Sequence, residues 1–103
     1  MDIFIQINSL SSQKNAEDYF ETISKVITKE KPSNLCIFLY SEAVRLCGEK
    51  EWSTFKKDSI NLYVCSKSLK EYKTKKVIFE EVGLGLITEK IIEANKIILL
   101  GSL

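Results

Sequence analysis

Leu35-Cys36-Ile37-Phe38-Leu39-Tyr40 is an unbroken apolar run. A run of this length without a polar side fits a strand covered on both faces, as strands in parallel sheets are. Upstream, Ala16, Tyr19, Phe20, Ile23, Val26 and Ile27 recur at three- and four-residue intervals, with Glu17, Asp18, Glu21 and Lys25 on the other side. That spacing predicts an amphipathic helix, opened by Asn15 as N-cap and stopped at Pro32. Its acids stand in the first turn and Lys29 and Lys31 in the last, which suits the helix dipole. Before it, Ile3, Phe4, Ile5 and Ile7 read as a strand ending at Asn8-Ser9, followed by a polar loop to Lys14.

Downstream, Ser41 is placed to cap a short helix through Arg45-Leu46-Cys47, closed by Gly48. Residues 49–59 are polar except for Trp52 and Phe55, and read as a surface loop or short helix anchored by those rings. A strand follows over Ile60–Cys65, where Ile60, Leu62 and Val64 alternate with Asn61, Tyr63 and Cys65, then a brief helix from Ser66 to Tyr72. Val77-Ile78-Phe79 reads as a fourth strand ahead of Glu80-Glu81. A Gly83-Leu84-Gly85 turn leads into a helix from about Leu86 to Ala94, and Lys96 to Leu100 is the last strand, ending at Gly101. Strands alternating with helices predict the α/β class: a three-layer α/β/α sandwich around a mainly parallel five-stranded sheet. With 103 residues, the chain has room for a single domain spanning 1–103.

In such sheets the loops at the carboxyl ends of the strands share one edge, and ligand sites form there. That edge is expected to carry Asn8-Ser9, Ser41-Glu42, Cys65-Ser66, Glu80-Glu81 and Gly101-Ser102. Composition narrows the chemistry. Lys plus Arg is 15 against 14 for Asp plus Glu, a net charge of +1, so bulk charge recruits neither nucleic acid nor an anionic membrane. Arg45 is the only arginine, and arginine is the residue suited to bidentate phosphate or guanine reading. The absence of histidine removes Ser-His-Asp and Cys-His catalysis, Cys/His zinc sites and imidazole acid–base chemistry. No cofactor and no functional metal are expected. The N-terminal Met-Asp-Ile-Phe lacks a signal peptide's basic start, and nothing approaches a membrane span. A cytoplasmic setting with reduced thiols is the expectation.

Cys36, Cys47 and Cys65 have no CxxC spacing, so neither a zinc ribbon nor a redox pair is available. Cys36, inside the apolar run, reads as core, and Cys47 as a packing residue beside Gly48. Cys65 is different: it ends a strand just before a helix, where the positive helix terminus favours thiolate. Lys67 and Lys70 would add to that field, and Glu42 or Glu80 would oppose it. Buried packing is the ordinary role of such a cysteine. Gly83-Leu84-Gly85 lacks the third glycine of a dinucleotide loop, and no Walker sequence is present. A receiver-domain reading fails too, because Asn8 and Cys65 stand where acids are required.

Three segments in this order resemble the DsrE/DsrF/TusD family. They are Ile37-Phe38-Leu39-Tyr40-Ser41-Glu42-Ala43-Val44, Asn61-Leu62-Tyr63-Val64-Cys65-Ser66-Lys67-Ser68-Leu69, and Val82-Gly83-Leu84-Gly85-Leu86-Ile87-Thr88-Glu89 with Asn95-Lys96-Ile97-Ile98. The chain departs from the TusD-like branch, in which the cysteine comes one or two positions earlier, where this chain has Tyr63 and Val64. The resemblance implies a small α/β/α subunit that assembles into homotrimers or homohexamers and handles sulfur. It places a persulfide on Cys65; Ser66, Lys67, Ser41 and Glu42, from the carboxyl edge and its neighbouring charges, are the expected supporting residues. The expected partners are proteins that donate and accept sulfur, and the activity would be that of a sulfurtransferase. The alternative is a non-catalytic subunit or homo-oligomeric interaction module in which Cys65 is merely packed.

Overall fold

The computed structural model describes residues 1–8, 16–74 and 78–101. In chain order the elements are β1 (Asp2–Ile7), α1 (Ala16–Glu30), β2 (Asn34–Leu39), β3 (Ile60–Cys65), α2 (Ser66–Glu71), β4 (Glu80–Val82), α3 (Leu84–Glu93) and β5 (Lys96–Leu100). Two 3₁₀ helices, Ser41–Gly48 and Lys50–Phe55, connect β2 to β3. The five strands form one parallel sheet in the order β4-β3-β2-β1-β5. The α/β class and the parallel five-stranded sheet agree with the sequence reading. Asn15 and the Ser9–Lys14 loop lie outside the described residues.

Strand order dictates the layers. From β1 to β4 each strand is laid beside its predecessor in one direction, and right-handed crossovers keep their connections on one face. The step from β4 to β5 runs back across the whole sheet, so α3 falls on the other face. The two apolar clusters record this. On the first face, Ile3, Ile5, Ile7, Leu35, Ile37, Leu39, Leu62 and Val64 meet Tyr19 and Ile23 of α1, the 3₁₀ segments and Leu69 of α2. On the second, Phe4, Cys36, Phe38 and Cys65 meet Val82 and Ile87, with Leu86, Ile91 and Ala94 packed around them. Among the described residues, the third layer of the sandwich is thus α3 alone.

Trp52 and Phe55 anchor the 3₁₀ segment, as their isolation among polar residues predicts. Trp52 is fully buried, and its indole N–H donates to the Leu46 carbonyl at 2.7 Å. Its ring meets Phe20 edge-on at 4.7 Å and Phe79 edge-on at 5.0 Å. Such T-shaped contacts suit the aromatic quadrupole.

Two local expectations are corrected. The fourth strand is Glu80–Val82, with Tyr63 opposite Glu80 and Cys65 opposite Val82; Ile78 and Phe79 precede it, and Val77 lies outside the described residues. Phe79 is drawn into the first-face core instead, so packing overrode its strand propensity. Ser41 is not an N-cap either. Tyr40 holds that position without a side-chain bond, and Ser41 follows with φ 56°, left-handed backbone that a serine adopts at a cost. The Ser41 amide donates to Ser68 Oγ at 3.0 Å, tying the end of β2 to α2.

Candidate functional site

The chain leaves β3 toward the first face, through α2, and leaves β4 toward the second, through α3. Adjacent parallel strands whose connections diverge in this way open a crevice at their carboxyl ends, the usual ligand position in open α/β sheets. A cavity of about 610 Å³ occupies that place. Cys65, Ser66 and Ser68 form one wall, Val82, Gly83 and Leu84 another, and Tyr40 and Ser41 reach it from β2.

Cys65 is the last residue of β3 and the residue before α2. Its side chain sits on the second face, and only 4% of the residue is exposed. Cys65 is therefore a buried thiol at a cavity wall. The reason is lateral: Val82 beside it and Phe38 from β2 close over the strand end. The cavity surface is more apolar than polar, and two cations stand at it. Lys67 and Lys70 line it from the exposed side of α2, with Glu71 as the opposing charge. Gly83 caps α3 in an extended conformation without any side-chain bond. The first amides of α3 consequently meet no capping side chain at the cavity rim.

Of the supporting residues expected, the fold brings Ser41, Ser66 and Lys67 to the cavity with Cys65. Glu42 is half-buried in the first turn of the 3₁₀ helix and does not line it. Glu80 and Glu81 belong to β4 itself rather than to a loop beyond it, so Val82-Gly83 takes the edge position assigned to them. Ser102 lies outside the described residues. Tyr40, Ser68, Gly83 and Leu84 were not singled out from sequence as site residues. A buried serine in α2 and an uncapped glycine are ordinary until strand order brings them together.

The other cysteines are core. Cys47 is fully buried among the first-face residues. Cys36 lies mid-strand under α3, beside a smaller cavity of about 200 Å³ at the amino edge of the sheet, where Asn61, Lys90 and Glu93 also stand. Burial pushes its thiol up to about 12, against the opposing pull of Lys90. Burial likewise raises the Tyr63 hydroxyl, with Lys90 opposing and Cys36 and Glu80 reinforcing. None of the three cysteines is in a disulfide. Among the described residues, no helix is long and apolar enough to cross a membrane.

A parallel sheet in the order β4-β3-β2-β1-β5, with a crevice at the β3–β4 junction, defines a small open-sheet α/β domain. The crystal structure of the ychN protein from E. coli superposes with a TM-score of 0.63, covering 97% of this chain and 100% of that one at 14% identity. Identity at that level speaks for a shared fold alone. No family model and no curated protein sequence matches the chain.

Proposed function

We propose that the protein is a sulfur carrier, with Cys65 as the site of a persulfide. The observation that carries this reading is the position of Cys65 in the wall of the crevice where α2 and α3 diverge, with Lys67 and Lys70 around it. The Cys65 thiolate attacks the terminal sulfur of a donor persulfide, R–S–SH. A Cys65–S bond forms, the donor's S–S bond breaks, and R–S⁻ departs with the electron pair. An acceptor thiolate then attacks the terminal sulfur of the Cys65 persulfide and releases the Cys65 thiolate. The sulfane sulfur changes partners without net oxidation. The chain contains no histidine, so the thiol proton leaves to solvent, with Lys67 and Lys70 the cations of the crevice wall. Thiols free of disulfides suit a reducing, cytoplasmic setting.

The test is mass spectrometry of the native protein after incubation with a cysteine desulfurase and cysteine, or with thiosulfate. One added sulfur atom on the Cys65 peptide, removed by reductant, is the expected result. A folded protein that takes up no sulfur, or takes it equally on Cys36 and Cys47, overturns the reading. A second reading has its own observation: Cys65 is 4% exposed and packs with Phe4, Phe38, Val82 and Ile87, as a structural cysteine in an interaction subunit does. Iodoacetamide separates the two. A carrier is alkylated at Cys65 in the folded state, whereas a packed residue is labelled only on denaturation.

A further inference from the structure

The two edges of the sheet are unlike. β4 ends it with three residues, two of them glutamates, and short charged edges resist pairing with other strands. β5 ends it with Lys96-Ile97-Ile98-Leu99-Leu100. Its one charge is turned away: the Lys96 ammonium meets Glu30 of α1 at 2.7 Å. Ile97 stands opposite Phe4 and Leu99 opposite Gln6, which puts both side chains on the second face, beyond the cover of α3. They are 48% and 54% exposed. Parallel sheets ordinarily have both faces covered, so among the described residues this corner is incomplete.

The backbone of β5 indicates what completes it. The Leu100 carbonyl accepts from the Asn8 amide at 3.1 Å and so points toward β1. Alternate residues of a strand aim their backbone groups the same way, so Ile98 and Lys96 also face β1. The N–H and C=O groups of Ile97 and Leu99 therefore point outward, where the described residues supply no strand. These outward residues are placed symmetrically about Ile98. We propose that β5 pairs antiparallel with β5 of a second copy of this chain, across a two-fold axis at Ile98.

In that register Ile97 faces the partner's Leu99 and exchanges both ladder hydrogen bonds with it, and the reverse pair does the same. All of these side chains fall on one face, between the two α3 helices, and cover one another. The Lys96–Glu30 pairing leaves no uncompensated like charge where the copies meet. The interface is self-complementary, as a two-fold contact requires, and joins the sheets into one. It lies at the opposite edge of the sheet from the β3–β4 crevice.

Sedimentation of the full chain at micromolar concentration is expected to give an even number of chains. Leu99→Lys places an ammonium in the apolar cluster and is expected to weaken that assembly roughly a hundredfold, reducing it to half its mass. Its circular dichroism should not change, because the Leu99 N–H does not serve the β1–β5 ladder. Ile98→Cys gives an independent reading. The axial pair is a non-hydrogen-bonded one with Cα atoms about 4.5 Å apart, so mild oxidation should yield a reducible covalent dimer. A single-chain mass at high micromolar concentration overturns the proposal. So does an assembly that is indifferent to Leu99→Lys and gives no cross-link through position 98.

Discussion

The two faces of the sheet are built from the same strands and differ in almost everything else. The first is sealed by α1, both 3₁₀ segments and α2 around Trp52; among the described residues the second has only α3. The cause is one reversal in strand order. Three successive crossovers in one direction stack their connections on one side, and the return to β5 leaves a single helix for the other. The same reversal parts the chain after β3 and β4 and opens the crevice at Cys65. Thin cover and a candidate site are therefore two results of one topological choice.

The first way to break the comparison is on the sealed face. Trp52→Ala removes the ring that Phe20, Phe55 and Phe79 pack against and one of the two hydrogen bonds to the Leu46 carbonyl, leaving that from the Glu49 amide. A loss of about 3–5 kcal/mol in urea unfolding is expected. A loss below about 1 kcal/mol would mean that the 3₁₀ segment is not part of the core.

On the second face the sharpest change is Cys65→Ser. Because the residue is buried, the hydroxyl should cost about 1–3 kcal/mol, as a poorly satisfied polar group does. The sulfur-carrier reading adds that Cys65→Ser and Cys65→Ala both abolish sulfur loading, while Cys36→Ala and Cys47→Ala keep it. Stability and loading are then read separately, by denaturation and by mass spectrometry.

Cys36 supplies a pH test on the same face. Its thiol is pushed to about 12 when folded, against an ordinary value of 9.0. The folded state holds the proton more tightly, so this contribution is fully present below pH 9 and is lost as pH rises toward 12. Denaturation midpoints across that window should fall less steeply in Cys36→Ala than in the wild type. Equal slopes would show that the thiol is not shielded as its burial implies.

The smallest effect belongs to an exposed pair on the first face, Glu30 of α1 with Lys96 of β5. The ammonium's hydrogen bond and charge hold the Glu30 carboxyl below its ordinary value. A depressed carboxylate stabilises above its unfolded pKa, and that contribution disappears as pH falls through the folded value. Glu30→Gln should erase only a faint acidic dependence of the melting temperature. A large shift would mean that the pair stabilises the fold more than an exposed ion pair does.

Local pattern carried much of this architecture. The run Leu35–Leu39, the three- and four-residue spacing of α1 and the alternation in β3 each report how a side chain repeats along its own element, and that repeat is set by backbone geometry. The missing histidines, the core role of Cys36 and the anchoring by Trp52 and Phe55 were legible for the same reason. The start of β4 was not, because Ile78 and Phe79 are as apolar as any strand residues and only the pairing of Tyr63 with Glu80 fixes the register. Nor could sequence show that Val82 and Phe38 close over Cys65, that Glu42 stays outside the cavity, or that Ile97 and Leu99 stand uncovered. These depend on which strands lie side by side and on which face each connection returns, contacts between residues far apart in the chain. Strand order and the hand of the crossovers, properties of the whole sheet, decided them.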